Sequence, residues 1–248
     1  MVVSVGLLGA LIGSFLNVVI HRLPRRESLA FPASRCTGCG THIRPRDNVP
    51  VLSWIALRGR CRGCGESISR RYPAVELLTA LLFVAVVLVR GLDIDLALEL
   101  PMMAMLVAVA GIDLEHRIIP NRILLPAAGL AVAVTAMIHP DQLPENLIAG
   151  AGAFAFLLTA ALAYPGGMGM GDVKLAGVMG LYLGLSVVPA LAVAFLGGSA
   201  VGIAVMVRQG ASARKRGLPF GPFLALGGCI GLLAGPELIE LYSRTFLS

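Results

Sequence analysis

The chain has 248 residues, 57% of them hydrophobic and only 14% charged, with a formal net charge of +6. Soluble domains carry about 25% charged residues, and a mean hydropathy of +0.85 excludes a soluble globular protein. The composition predicts an all-α, polytopic integral membrane protein.

Apolar blocks fall at roughly 2–20, 74–89, 96–112, 123–138, 146–164, 173–187, 188–207 and 219–235. Several approach the ~20 residues that a span needs and others stop at about 16–17. The first block is not read as a cleaved signal peptide. Its positive charges, Arg22, Arg25 and Arg26, follow it, and no Ala-x-Ala site ends it. Residues 1–20 are therefore expected to be a retained first transmembrane helix with its N-terminus outside.

Residues 21–72 form the one long polar segment. It holds Cys36-Thr37-Gly38-Cys39-Gly40 and Cys61-Arg62-Gly63-Cys64-Gly65, two Cys-x-x-Cys-Gly knuckles. Four thiolates in two tight pairs suit a closed tetrahedral Zn²⁺ site, which folds a module and leaves no open position for chemistry. Two disulfides or four reduced free cysteines would be the alternatives, and a segment facing the reducing cytoplasm disfavours the disulfides. Cys229, alone in the last block, is expected to be a small buried packing residue. The single tryptophan, Trp54, is expected in the module's core. The arginines around the knuckles (Arg35, Arg44, Arg46, Arg58, Arg60, Arg62, Arg70, Arg71) are read as loop anchors near anionic headgroups. Nucleic-acid binding is not expected, because basic charge is spread over every loop of one side.

The remaining blocks, 73–248, are expected to form a transmembrane domain. At the end of its second apolar block stands Gly111-Ile112-Asp113-Leu114-Glu115-His116-Arg117. Further on comes the run Gly166-Gly167-Met168-Gly169-Met170-Gly171-Asp172-Val173-Lys174. A carboxylate so close to hydrocarbon is costly, so its default reading is functional. Each aspartate also has a bland reading: Asp172 as the N-cap of a helix starting at Val173, and Asp113 as a solvated residue at a helix end.

Charge placement sets the topology. Eleven of the 20 Lys and Arg lie between Arg22 and Arg71; Arg117, Arg122, Lys174, Arg208, Arg214, Lys215 and Arg216 lie in later loops of the same side. The intervening segments carry Asp93, Asp95, Glu99, Asp141, Glu145, Glu237 and Glu240. This alternation puts the basic loops in the cytoplasm. Splitting 173–207 near Gly184–Pro189 keeps the rule and gives about eight spans with both termini outside. Asp113 and Asp172 then end spans three and six at the same inner face. Two carboxylates in a partly dehydrated site tend to share a proton. One acts as general base on a water while the protonated one polarises a scissile carbonyl. Asp172, at a helix start, is expected to be the base. Gly169 and Gly171 would let an extended peptide approach the backbone, and Lys174 is read chiefly as a snorkelling anchor beside them. The four histidines, His21, His42, His116 and His139, have no metal or triad spacing, and the glycine run is not a phosphate loop.

These residues together resemble the type IV prepilin peptidase family, intramembrane aspartic proteases also called prepilin leader peptidase/N-methyltransferases. The resemblance covers Gly13-Ser14-Phe15-Leu16-Asn17 through His21-Arg22-Leu23-Pro24, the double knuckle, Arg71-Tyr72-Pro73 with Val75-Glu76, Asp113 with Ile119-Pro120-Asn121, Gly169-Met170-Gly171-Asp172, and Pro219-Phe220-Gly221-Pro222-Phe223. It implies Asp113 and Asp172 as catalytic residues, prepilin or pseudopilin substrates, and cleavage at the cytoplasmic face of the bacterial inner membrane. It also implies methylation of the new N-terminus with S-adenosyl-L-methionine, although no residue here announces a methyltransferase by itself. The alternatives are a peptidase without methylation and a proton-coupled transporter using the paired carboxylates.

Overall fold

The computed structural model describes residues 1–164, 167–209 and 218–246. Gly166, Arg214, Lys215 and Arg216, named above, lie outside them. The described residues fold as α1 (Val2–Arg22), α2 (Leu52–Ala56), α3 (Arg71–Arg90), α4 (Leu96–His116), α5 (Asn121–Ile138), α6 (Leu143–Ala163), α7 (Met170–Leu183), α8 (Val187–Gln209) and α9 (Gly221–Phe246). Among them no strand forms; only two isolated bridges occur, Arg35 with His42 and Arg60 with Ser67.

Among the described residues, seven helical stretches are long and apolar enough to cross a membrane. One of them, Met170–Arg208, is 39 residues long and breaks at Gly184–Ser186 into α7 and α8. Gly184 has φ +54° there, a conformation open to glycine and costly for other residues. The break falls where the charge pattern requires a turn and leaves a 14-residue α7 followed by a 23-residue α8; the described stretches of spanning length number seven, not the eight expected.

The chain divides into two compact units, Met1–Gly91 and Leu92–Ser248. In the first, α1 and α3 pair along a stripe of small residues. A Cβ built on Gly9 would meet Ala80 Cα at 2.8 Å, and one on Gly13 would meet Glu76 Cα at 2.7 Å. Such close backbone approach is how helices associate where lipid removes the hydrophobic drive.

The second unit is built around α4, whose Met102, Met103, Leu106, Val109 and Ile112 are fully buried. It packs on α5, α7 and α9. Val173, Leu175, Ala176 and Met179 give α7 a second buried face. The α6–α7 pair is equally tight, since a Cβ on Gly180 would stand 2.6 Å from Gly150 Cα. At the start of α9, Phe220 stacks at 5.3 Å from Phe195 and lies over Gly198, which fixes where that helix begins.

Candidate active site and cysteine cluster

Asp113 sits one turn before the end of α4. That helix stops because Arg117 turns left-handed (φ 55°) while its amide still bonds to Asp113 O at 2.9 Å. Pro120, with no amide hydrogen to donate, then precedes the fresh start of α5 at Asn121. The Asp113 side chain is buried, and its Oδ2 accepts the Gly221 amide at 2.9 Å. Gly221 is the first residue of α9, so Asp113 caps a helix N-terminus, where a negative charge is favoured. Only glycine fits, because a Cβ on residue 221 would lie 2.7 Å from that oxygen.

Asp172 is held in a parallel way. The helix starts earlier than a cap at Asp172 implies: Gly169 is the N-cap and Asp172 stands in the first turn. Its Oδ2 accepts the Gly169 amide at 3.1 Å, the reach-back half of a capping box. Asp172 is buried, so this cap is made inside the protein, not toward solvent. Each aspartate therefore has one oxygen tied to a backbone amide. Their helices α4 and α7 touch.

Gly171 lies against Ile119, with 2.8 Å from its built Cβ to the Ile119 Cβ. The Lys174 ammonium donates to Asn121 Oδ1 at 3.1 Å. The segment after α4 is thus fastened to the start of α7 at two points, and Lys174 is tethered by a partner. Gly221 was named in the sequence only as part of a span start. Its place at Asp113 could not be read from spacing, because the contact joins residues 108 apart.

The cysteines form two copies of one turn. In the first, the Cys36 amide bonds to Thr41 O and the Gly40 amide to Cys36 O; in the second, the Cys61 amide bonds to Glu66 O and the Gly65 amide to Cys61 O. Gly40 and Gly65 have φ +68° and +74°. The Sγ atoms of Cys36, Cys39, Cys61 and Cys64 all lie within 4.8 Å of one another, so the group can hold a metal ion. Cys36 and Cys64 sulfurs are 3.8 Å apart, the edge that four bonds of about 2.3 Å give in a tetrahedron. The Thr41 hydroxyl and amide, with neighbouring thiols, pull Cys39 down to about 6. Backbone amides of Cys64 and Gly63 lower Cys61. Both shifts favour the thiolate, the form that binds metal, while, against the Glu66 backbone hydrogen bond, the same neighbouring thiols push Cys64 up to about 12. Trp54 donates to Ile68 O at 3.1 Å with its ring on Gly59, inside the module as expected. Cys229 is half-buried.

Comparison with known proteins bears directly on this pair of features. The bacterial peptidase A24 N-terminal domain family matches residues 7–90 and the type IV leader peptidase family residues 100–207. A prepilin leader peptidase/N-methyltransferase from Pseudomonas putida is 35% identical, with 93% of this chain and 90% of the relative aligned. The chain belongs to the type IV leader peptidase family. Other members of that name include one from Bacillus subtilis (strain 168), 34% identical over 96% of both chains. Another, from Aeromonas hydrophila, is 36% identical over 97% of this chain and 93% of its own. No solved structure matches. Leader peptidase membership and the seven stretches of spanning length among the described residues make the chain a multi-pass membrane enzyme, and the transporter alternative is not favoured.

Proposed function

We propose that this leader peptidase family member is an intramembrane aspartic endopeptidase that removes the leader of type IV prepilins or pseudopilins and N-methylates the new N-terminus with S-adenosyl-L-methionine. The observation that carries the peptidase half is the pair Asp113 and Asp172, buried on packed helices, each with one oxygen bound to a main-chain amide.

With those oxygens tied, the remaining oxygen of each carboxyl is free to share a proton with the other. The ionised member takes a proton from water, whose oxygen attacks the scissile carbonyl. The protonated member gives a hydrogen bond to that carbonyl oxygen, and proton return to the departing amine completes cleavage. Asp172 stands in the first turn of α7, a place that favours the ionised base, but Asp113 faces the start of α9 and shares that advantage. The pair is accordingly treated as one acid/base unit.

Gly169, Gly171 and Lys174 line the approach to Asp172 in this reading. Cys36, Cys39, Cys61 and Cys64 hold Zn²⁺, which when bound supplies a structural crosslink between the knuckles. The enzyme lies in the bacterial inner membrane with its N-terminus outside and its site toward the cytoplasm, following the basic loops. The names of the relatives support methylation.

The direct test incubates purified protein with a prepilin, with and without S-adenosyl-L-methionine, and reads the product by mass spectrometry. A shortened pilin that gains one methyl group only with the donor is expected. Intact prepilin under both conditions would refute the peptidase assignment.

A further inference from the structure

Glu76 is a buried carboxylate on α3 that the chemistry above does not use. Its Oε2 accepts the Val51 amide at 2.7 Å, and Ser14 of α1 also hydrogen-bonds to it. Val51 has φ 60° and ψ −50°, and the Leu52 amide closes back onto Pro50 O at 2.6 Å. This is a three-residue γ-turn of the positive-φ kind, rare and strained, and worse for a β-branched side chain. Strain of this sort persists where surroundings over-determine it, and here Glu76 supplies the hold.

Depth follows from the helices. Glu76 lies five residues inside Arg71, about 7.5 Å along α3, and Ser14 lies eight residues inside Arg22, about 12 Å along α1. The turn at Val51 therefore reaches below the level of the arginines that mark the membrane surface. Irregular backbone is tolerated at such depth only when its polar groups find protein partners. The Glu76–Val51 bond meets that demand, which explains a carboxylate inside an apolar helix.

The turn opens α2, a helix of five residues, Leu52–Ala56. Leu52 is 65% exposed and Ile55 60% exposed, one helical turn apart and so on one face. Arg44, Arg46, Arg58, Arg60 and Arg70 of the same module are exposed. Exposed apolar side chains in a module this rich in exposed cations match an anionic headgroup zone over acyl chains.

We infer that α2 is an interfacial wedge: Leu52 and Ile55 insert into the leaflet bordering the cysteine module, and Glu76 sets their depth. The occupant of this face is lipid.

The test uses the whole protein reconstituted in bilayers containing phosphatidylglycerol. Trp54 is the only tryptophan and lies on the same short helix as the two inserted residues, its ring turned toward Gly59. Lipids brominated near the headgroup end of their acyl chains are expected to quench its emission in part, and more than aqueous iodide does. Replacing Leu52 and Ile55 by Glu should cut the bromolipid quenching several-fold with bound metal unchanged. Should that variant misfold, Leu52→Trp in a Trp54→Phe chain must be quenched more strongly than wild type. Wild-type emission insensitive to bromolipids overturns the inference, whether iodide then reaches Trp54 or a second copy or another segment shields it. Quenching unaltered by the glutamates, or weaker from Trp at position 52, overturns it as well.

Discussion

The Gly221 amide and the Asp113 carboxylate, 108 residues apart in the chain, meet at 2.9 Å in the fold. A side chain at position 221 would occupy the space of that carboxylate. Gly221→Ala is therefore expected to insert and bind prepilin normally but to cleave about 10²-fold more slowly, the cost of a misplaced catalytic group. Gly129→Ala, where a Cβ meets nothing within 4 Å, is the control. Steady-state kinetics on both variants decide the matter: a raised KM with unchanged kcat would refute the positioning role.

Asp113→Asn and Asp172→Asn keep shape and remove the proton exchange. Each is expected to lower cleavage by about 10²–10⁴-fold, the range for lost acid/base catalysis. Because the two act as a unit, the double variant should be little worse than either single one. Immunoblotting for uncleaved prepilin at equal enzyme levels measures this. Additive losses would argue against a shared proton.

Hydropathy and the cysteine spacing carried much of this fold, for a physical reason. Spans and knuckles are local patterns: a block of apolar residues or a Cys-x-x-Cys-Gly turn is legible within one stretch of chain. The break at Gly184–Ser186 was reachable through the positive-inside rule, although α7 and α8 form one unbroken run of hydropathy. Long-range contacts had no such signal. Gly221 on Asp113, Ile119 on Gly171 and Glu76 on the Val51 turn depend on which helices pack, and spacing does not encode that. The cap of α7 also fell three residues earlier than Asp172 suggested, because a glycine can serve as N-cap while the acid reaches back to it.

Helix packing around the site rests on equally small residues. A Cβ at Gly180 would stand 2.6 Å from Gly150 Cα and 2.7 Å from Ala149 O, backbone atoms that cannot swing aside. Gly180→Ala is expected to destabilise the α6–α7 pair by about 1–3 kcal/mol, as overpacking does. A lower thermal midpoint in detergent, beside an unshifted Gly152→Ala control, is the expected result.

Substitution of Cys36 or Cys61 by Ser removes one of four clustered sulfurs. Zn²⁺ content of the purified protein, measured by mass spectrometry, should fall from about one per chain to near none. Residues 21–72 should then become sensitive to protease. Full zinc occupancy in the variants would rule out the Cys₄ assignment.

At the other end of α4 from Asp113, His139 Nε2 lies 2.6 Å from Asp95 Oδ1. The Asp95 hydrogen bond, reinforced by the charges of Asp95, Asp141 and Asp93, raises His139 above its ordinary 6.5. A group whose folded value is raised adds stability in its protonated form. That contribution is complete below about pH 6.5 and disappears as pH climbs through the folded value. The thermal midpoint of wild type should exceed that of His139→Gln in mildly acidic buffer, and the gap should close in alkaline buffer. Asp95→Asn should abolish the pH dependence of the gap, since it removes the principal cause of the shift. A gap that widens with rising pH would mean that the imidazole is held neutral, and would refute the ion pair.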